Sequence, residues 1–265
     1  MLASLVLSFT QWDLMRPPVF IGLENYERLL LNDPLFWKSL ANTVLYVVGR
    51  VPLVLVLALL VALMLNQAIP GRTVLRTVYY LPVVTPEVAM ALLWAWMFDA
   101  NFGLINSLLG SLGVRGPAWL ASTEWALPAV VIVSTWGIGS LMVIFLAGLQ
   151  GVPQHLYEAA ELDGANAVQR LRHVTLPFLT PVIFFNLVVG VIGSFQIFTK
   201  VRIMTNGGPA NATMVYVLYL YNQAFQWLKM GYGAALAWVL FLLLFGLTVL
   251  MFKRSRWVYY EGARR

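Results

Sequence analysis

Two ionisable side chains, Arg50 and Glu87, fall inside apolar stretches of this sequence. Pro52 follows Arg50, and Pro82 and Pro86 precede Glu87. A charge at bilayer depth is costly, so it faces a partner, water or the interior of a helix bundle. One reading is an Arg50–Glu87 ion pair or the lining of a solute path. The other is that they sit near an interface and extend their charged ends to water. The prolines kink or unwind their helix, and the freed carbonyls then need a protein neighbour or a wet cavity. A second set, Asn186, Gly190, Gly193, Ser194 and Ile197, follows i, i+4 and i+3 spacing and shares one helical stripe. Small and polar residues on one stripe suit close helix packing, and they equally suit a path for a polar solute. Trp94, Trp96, Trp136, Phe195 and Phe198 offer ring faces for sugars, or serve as packing and interface anchors.

Other chemistry is largely excluded. There is no cysteine, so disulfides, thiol catalysis and thiolate metal sites are ruled out. The two histidines, His155 and His173, both lie in one polar insert. No Ser/His/Asp arrangement, HExxH pattern or carboxylate pair at membrane depth occurs, so no catalytic or metal-binding residue is expected. No G-x-x-x-x-G-K-[ST] loop is present. The net charge of +6 lacks a basic patch interleaved with aromatics, which argues against nucleic acid.

The elements that must position these residues follow from composition. The chain has 265 residues, 60% of them hydrophobic and 11% charged, with mean hydropathy +0.79. Soluble domains carry about a quarter charged residues, so an integral membrane protein is expected. Five stretches reach the roughly 20 apolar residues of a span: Leu40–Leu65, Val78–Phe98, Ala126–Leu149, Phe178–Thr199 and Tyr232–Phe252. Met1–Phe9 is too short to cross and reads as the outer half of a first helix. The fold class is therefore an all-α polytopic membrane protein with five full helices and a truncated first one. Residues 1–39 hold the partial helix and an outer loop, 40–252 the membrane domain with an inserted loop at 150–176, and 253–265 a basic tail. Met214–Leu228, short and rich in tyrosine, is expected to lie at the outer interface. The tail carries Lys253, Arg254, Arg256, Arg264 and Arg265 against Glu261; same-side loops add Arg72, Arg76, Arg170 and Arg172. This bias places the tail, and with it the insert, in the cytoplasm.

The insert is polar and helix-forming. Pro153 suits a first helical turn, and Gly164 after Asp163 is a stop. A second short helix, about 165–173, carries Val168 and Leu171 on one side and ends at Leu176-Pro177. Leu156, Ala159 and Ala160 give the first helix a small apolar face beside Glu158 and Glu161. Small residues admit a second surface closely and acids supply hydrogen-bonding handles, so the pattern argues for docking.

Glu158-Ala159-Ala160, Gly164 and Val174-Thr175-Leu176-Pro177 match the signature EAA---G---------(I/V)-LP. On these residues the sequence resembles the membrane subunits of ABC importers, over nearly its whole length. "IGLENYERLL", "MTNGGPANAT" at Met204–Thr213 and "GYGAALAWVLF" at Gly231–Phe241 look like the carbohydrate-type permeases, which handle maltose, other oligosaccharides, multiple-sugar substrates and glycerol phosphate. Departures are Leu171, where many relatives have Phe, and an N-terminus that enters midway through the family's first helix. The resemblance implies a six-helix permease core in the bacterial or archaeal inner membrane, embedded in lipid. It implies a sister permease, two cytoplasmic ATPase subunits that bind ATP and magnesium, and an extracytoplasmic solute-binding protein that delivers sugar. This chain would bind no cofactor. Tyr157, Glu158, Ala159, Ala160, Asp163 and Gly164 would form a coupling helix seated in an ATPase cleft. Ser134, Trp136, Asn186, Gly190, Gly193, Ser194 and Ile197 would line the solute path. The rival is an ion- or proton-coupled secondary transporter using Arg50 and Glu87; it should show paired repeats with broken helices.

Overall fold

Residues 2–259 are described by the computed structural model. Met1 and the tail residues Glu261, Arg264 and Arg265 lie outside the described residues. The chain opens with a short helix α1 (Leu2–Ser8) and a two-residue ladder, Thr10↔Phe20 and Gln11↔Val19, for which the sequence offered no alternating pattern. Helix α2 (Glu24–Leu31) follows. Helix α3 (Pro34–Asn66) has 33 residues, about 50 Å of rise. Asp33 starts it: Oδ1 accepts from Leu35 N at 3.1 Å and Phe36 N at 3.0 Å, and Pro34 takes the position whose amide would be idle.

The second apolar stretch is not one span. It divides into α4 (Arg72–Val84) and α5 (Glu87–Met97) at Thr85, which is extended at φ −77°, ψ 134°. Pro86 enforces this, because its ring excludes the α conformation from the residue before it. After α6 (Leu104–Ser111), the third stretch is also divided: α7 (Ala126–Ser134), a 3₁₀ turn Thr135–Gly137, and α8 (Gly139–Gln150). The insert forms α9 (Gln154–Leu162) and α10 (Ala167–Arg170), then α11 (Leu176–Phe195). Helices α12 (Thr199–Met204), α13 (Tyr216–Tyr221) and α14 (Met230–Lys253) complete the fold. Three helical runs are long and apolar enough to cross a membrane alone: Pro34–Asn66, Ala167–Met204 and Met230–Trp257. Counting each divided pair as one span gives five, the number expected.

Packing divides the chain into two compact units. One comprises residues 2–49, Glu87–Val133 and Ile192–Thr248; the other comprises Arg50–Pro86, Ser134–Val191 and residues 249–259. In the second unit, Val54, Ala58, Ala62 and Leu65 form one stripe of α3 and pack with Met142, Phe145, Leu146 and Leu149 of α8. Helix α4 crosses α8 so closely that only glycine fits at 139: a Cβ there would lie 2.9 Å from Tyr80 Cα and 3.0 Å from Val83 Cγ2. Gly139→Val is expected to destabilise the protein by about 1–3 kcal/mol through overpacking. A thermal midpoint unchanged from wild type would show that α4 can back away.

In the first unit the tyrosines of Met214–Leu228 are buried within the chain and do not act as interface anchors. Tyr216 is 0% and Tyr219 1% exposed, and α13 runs into a π-helical turn, Asn222–Gln226. Its hydroxyls have internal acceptors. Tyr216 donates to Leu236 O at 2.8 Å, and Tyr219 and Tyr232 both donate to Asp33 Oδ2. Gln223 Nε2 donates to the Tyr219 oxygen, and Tyr216 N to Thr43 Oγ1 at 2.8 Å. A tyrosine-rich helix looks interfacial until a buried acceptor is supplied from far away in the chain.

Candidate functional site

The polar insert is a rigid corner. Helix α9 ends where the sequence places its stop: Gly164 sits at φ +76°. Ala165 N bonds Ala160 O at 2.9 Å and Gly164 N bonds Glu161 O at 3.0 Å, the paired closure of a Schellman motif. Asn166 then caps α10, accepting from Gln169 N at 3.0 Å while Gln169 Oε1 accepts from Asn166 N at 2.8 Å. Two side-chain links tie α9 to the helical run after it. Tyr157 and Thr175 share a hydroxyl bond of 2.9 Å, and Arg170 pairs with Glu161. The outward side stays uncovered. Glu158, Ala159, Asp163 and Gly164 are exposed, with Tyr157 and Ala160 partly so. Leu162 is 90% and Val168 72% exposed, so two apolar side chains crown a polar loop. Sequence reasoning missed Leu162; its signal is a leucine directly before the Asp-Gly stop.

The expected break at Leu176-Pro177 does not occur. A π-helical turn, Leu171–Thr175, joins α10 to α11 without interruption, and Leu176 N bonds Leu171 O. In a regular helix the Pro177 ring would press on the carbonyl four residues back. The wider turn accommodates it. The second arm of the corner, α10, and the stripe beyond it are therefore carried by one helical run, residues 167–195.

Along that run, Asn186 is 3% exposed, and its Nδ2 has no hydrogen-bond partner among the described residues. Ser194 is 1% exposed. Gly193 is exposed, with nothing within 4 Å of a Cβ, and a Cβ at Gly190 would meet only Val51 Cγ1, at 3.8 Å. Close packing within this chain does not account for these two glycines. Ile197 lies beyond the end of α11, so it leaves the straight stripe; its amide bonds Ser194 O at 3.3 Å. Ser134, buried, ends α7, and Trp136, half-exposed, sits in the 3₁₀ turn.

The intramembrane charges read differently in the fold. Glu87 stands in the first turn of α5, a favourable place for an anion, and Oε1 lies 3.7 Å from Lys200 Nζ of α12. Glu87 thus pairs with Lys200, which falls one residue past the fourth apolar stretch, where the sequence reads it as a loop cation. With the Glu87 side chain 54% exposed, such a pair contributes about 0–1 kcal/mol. Arg50 lies in the interior of α3, two residues before Pro52. No group of three or more metal-ligating side chains occurs among the described residues.

Comparison with known proteins gives four consistent likenesses. Residues 51–256 match the family described as binding-protein-dependent transport system inner membrane component. The probable ABC transporter permease protein YesP of Bacillus subtilis (strain 168) is 44% identical over 98% of this chain and 85% of its own length. The lactose transport system permease protein LacF of Rhizobium radiobacter is 37% identical over 96% of this chain and 87% of its own. A bacterial alginate ABC transporter, solved in complex with an alginate pentasaccharide-bound periplasmic protein, contains a chain that superposes with TM-score 0.82. That chain is 23% identical, and the match covers 89% of this chain and 83% of that one.

Proposed function

Because this chain belongs to the family of binding-protein-dependent transport system inner membrane components, we propose that it is the sugar-conducting permease of an ABC importer, enclosing the solute path with a sister permease. The observation that carries the mechanism is the unbroken helical run from α10 through the π turn into α11, residues 167–195. Helix α9 seats Glu158, Ala159, Asp163, Gly164 and Leu162 in a cleft of a cytoplasmic ATPase. When the ATPase pair closes on ATP and magnesium, held by those subunits and not by this chain, the corner moves as a body. The Tyr157–Thr175 and Glu161–Arg170 links pass the motion into α10 and α11. Asn186, with its free amide donor, and the open face at Gly190 and Gly193 then meet sugar hydroxyls or the sister chain. Ser134, Trp136, Ser194 and Ile197 belong to the same path. A solute-binding protein delivers the sugar on the other side of the inner membrane, and the basic C-terminal tail faces the cytoplasm.

The ion-coupled alternative loses its footing, since Glu87 is engaged by Lys200 and the family is binding-protein-dependent. The deciding experiment is uptake by proteoliposomes. Transport is expected only with ATP, ATPase subunits and binding protein together; uptake driven by a proton gradient alone would overturn the reading. Within this frame the open position at 193 is the better probe of the path, because Ser194 already fills a buried site. Gly193→Trp is expected to cut uptake to about a tenth or less, a barrier increase of about 1.4 kcal/mol or more, while the complex still assembles. Normal uptake in that variant would remove position 193 from the path.

A further inference from the structure

A cavity of about 720 Å³ opens in the first unit between α3, α7 and the loop that carries Ala210 and Ala212. Its two ends differ in chemistry. Leu45, Gly49, Leu127 and Val131 line the apolar part, while Lys38 and Glu124 stand at the polar mouth. Lys38 precedes the first apolar stretch, and Glu124 precedes the start of α7 at Ala126. Their neighbours Trp37 and Trp125 are 51% and 42% exposed. Tryptophan and lysine at such a boundary mark the headgroup level of a bilayer. From Lys38 to Gly49 the groove follows eleven residues of α3, about 16 Å of rise. That matches half of the roughly 30 Å hydrocarbon core, the depth of one leaflet.

The mouth also has a definite charge pattern. Lys38 Nζ donates to Ala210 O at 2.7 Å, which fixes the ammonium at the rim and leaves two of its donors. Lys38 and Glu124 make no ion pair with each other, and Glu124 has no cationic partner among the described residues. A single occupant satisfies both: a phosphate for Lys38 and, a few ångströms away, an ammonium for Glu124. We propose that this groove binds a glycerophospholipid with a primary-amine headgroup, phosphatidylethanolamine in chemistry. One acyl chain lies along Leu45, Gly49 and Val131, and the headgroup bridges Lys38 and Glu124. The proposal does not depend on which sugar is carried.

The test uses the assembled transporter in nanodiscs containing equal phosphatidylethanolamine and phosphatidylglycerol, with retained lipid counted by native mass spectrometry. The expected result is about one phosphatidylethanolamine held per copy of this chain, preferred about tenfold over phosphatidylglycerol, as loss of one charge-assisted bond implies. Glu124→Gln, a surface change, should erase the preference. Gly49→Phe should expel the lipid, since the groove floor there is open except for Val131 Cγ2, 3.5 Å from a Cβ. Equal retention of both lipids, unmoved by Glu124→Gln, would mean annular lipid only and overturn the proposal. So would efficient cross-linking of Leu45→Cys, in a chain with no other cysteine, to the sister subunit, because a protein helix would then cover the groove.

Discussion

Gly164→Trp is expected to abolish sugar uptake while leaving the permease folded and in the membrane. The fold tolerates the change because a Cβ at 164 has nothing within 4 Å and the residue is exposed. The backbone strain of holding a side chain at φ +76° costs about 1–2 kcal/mol, confined to the turn after α9. What the indole would occupy is the space beside Ala160 and Leu162, where the ATPase is proposed to seat. ATP hydrolysis by the complex should then lose its response to sugar-loaded binding protein, or the ATPase subunits should dissociate on purification. Gly164→Asn separates the two causes, since asparagine accepts the left-handed conformation better than most residues. It should retain more uptake than Gly164→Trp if bulk at the interface is decisive. Wild-type assembly and uptake in Gly164→Trp would sink the docking reading.

Asp33→Ala carries the largest expected loss of stability, about 3–5 kcal/mol. The carboxylate is 9% exposed and holds three structures together. Oδ1 caps α3 through Leu35 N and Phe36 N, and Oδ2 accepts from Tyr219 and Tyr232. Its removal strips the cap and leaves two buried hydroxyls without an acceptor, each costing about 1–3 kcal/mol. These costs overlap, because all three links share one side chain. Asp33→Asn keeps one carbonyl oxygen and should lose less. Thermal unfolding of the purified protein, together with proteolysis of the segment around α2, measures both. A midpoint for Asp33→Ala within a degree or two of wild type would mean that water replaces the carboxylate.

Much of this arrangement is legible in the sequence wherever the cause is local. Asp163-Gly164 announces a turn that needs positive φ, Thr85-Pro86 a break, and the apolar stretches three whole spans and two divided pairs. Family spacing links Glu158 to Leu176-Pro177. What escapes is non-local or is written only in hydrogen bonds. Nothing near Tyr219 signals that its acceptor is Asp33, 186 residues earlier, so buried tyrosines read as interface anchors. A π-helical turn has no composition of its own, which is why Leu176-Pro177 looks like an end and is instead a passage. Glu87 suggests a partner among the intramembrane charges, yet the cation it meets stands just outside an apolar stretch, at Lys200. The stripe from Asn186 to Ser194 is correct as a helix face, but only three-dimensional burial separates the filled position at Ser194 from the open one at Gly193.

The passage at Leu171–Thr175 also sets an angular phase. Each residue of an α-helix turns the chain by about 100°, and a π turn holds one more residue per turn than its flanks. Rewinding these same five residues as an ordinary α-helix would leave α9 and α11 intact in length and composition. It would nevertheless rotate Asn186 and Gly190 by about 100° around the axis relative to Glu158. The azimuth at which these groups face the interior is thus encoded neither in the docking corner nor in the spanning helix, but in five residues between them.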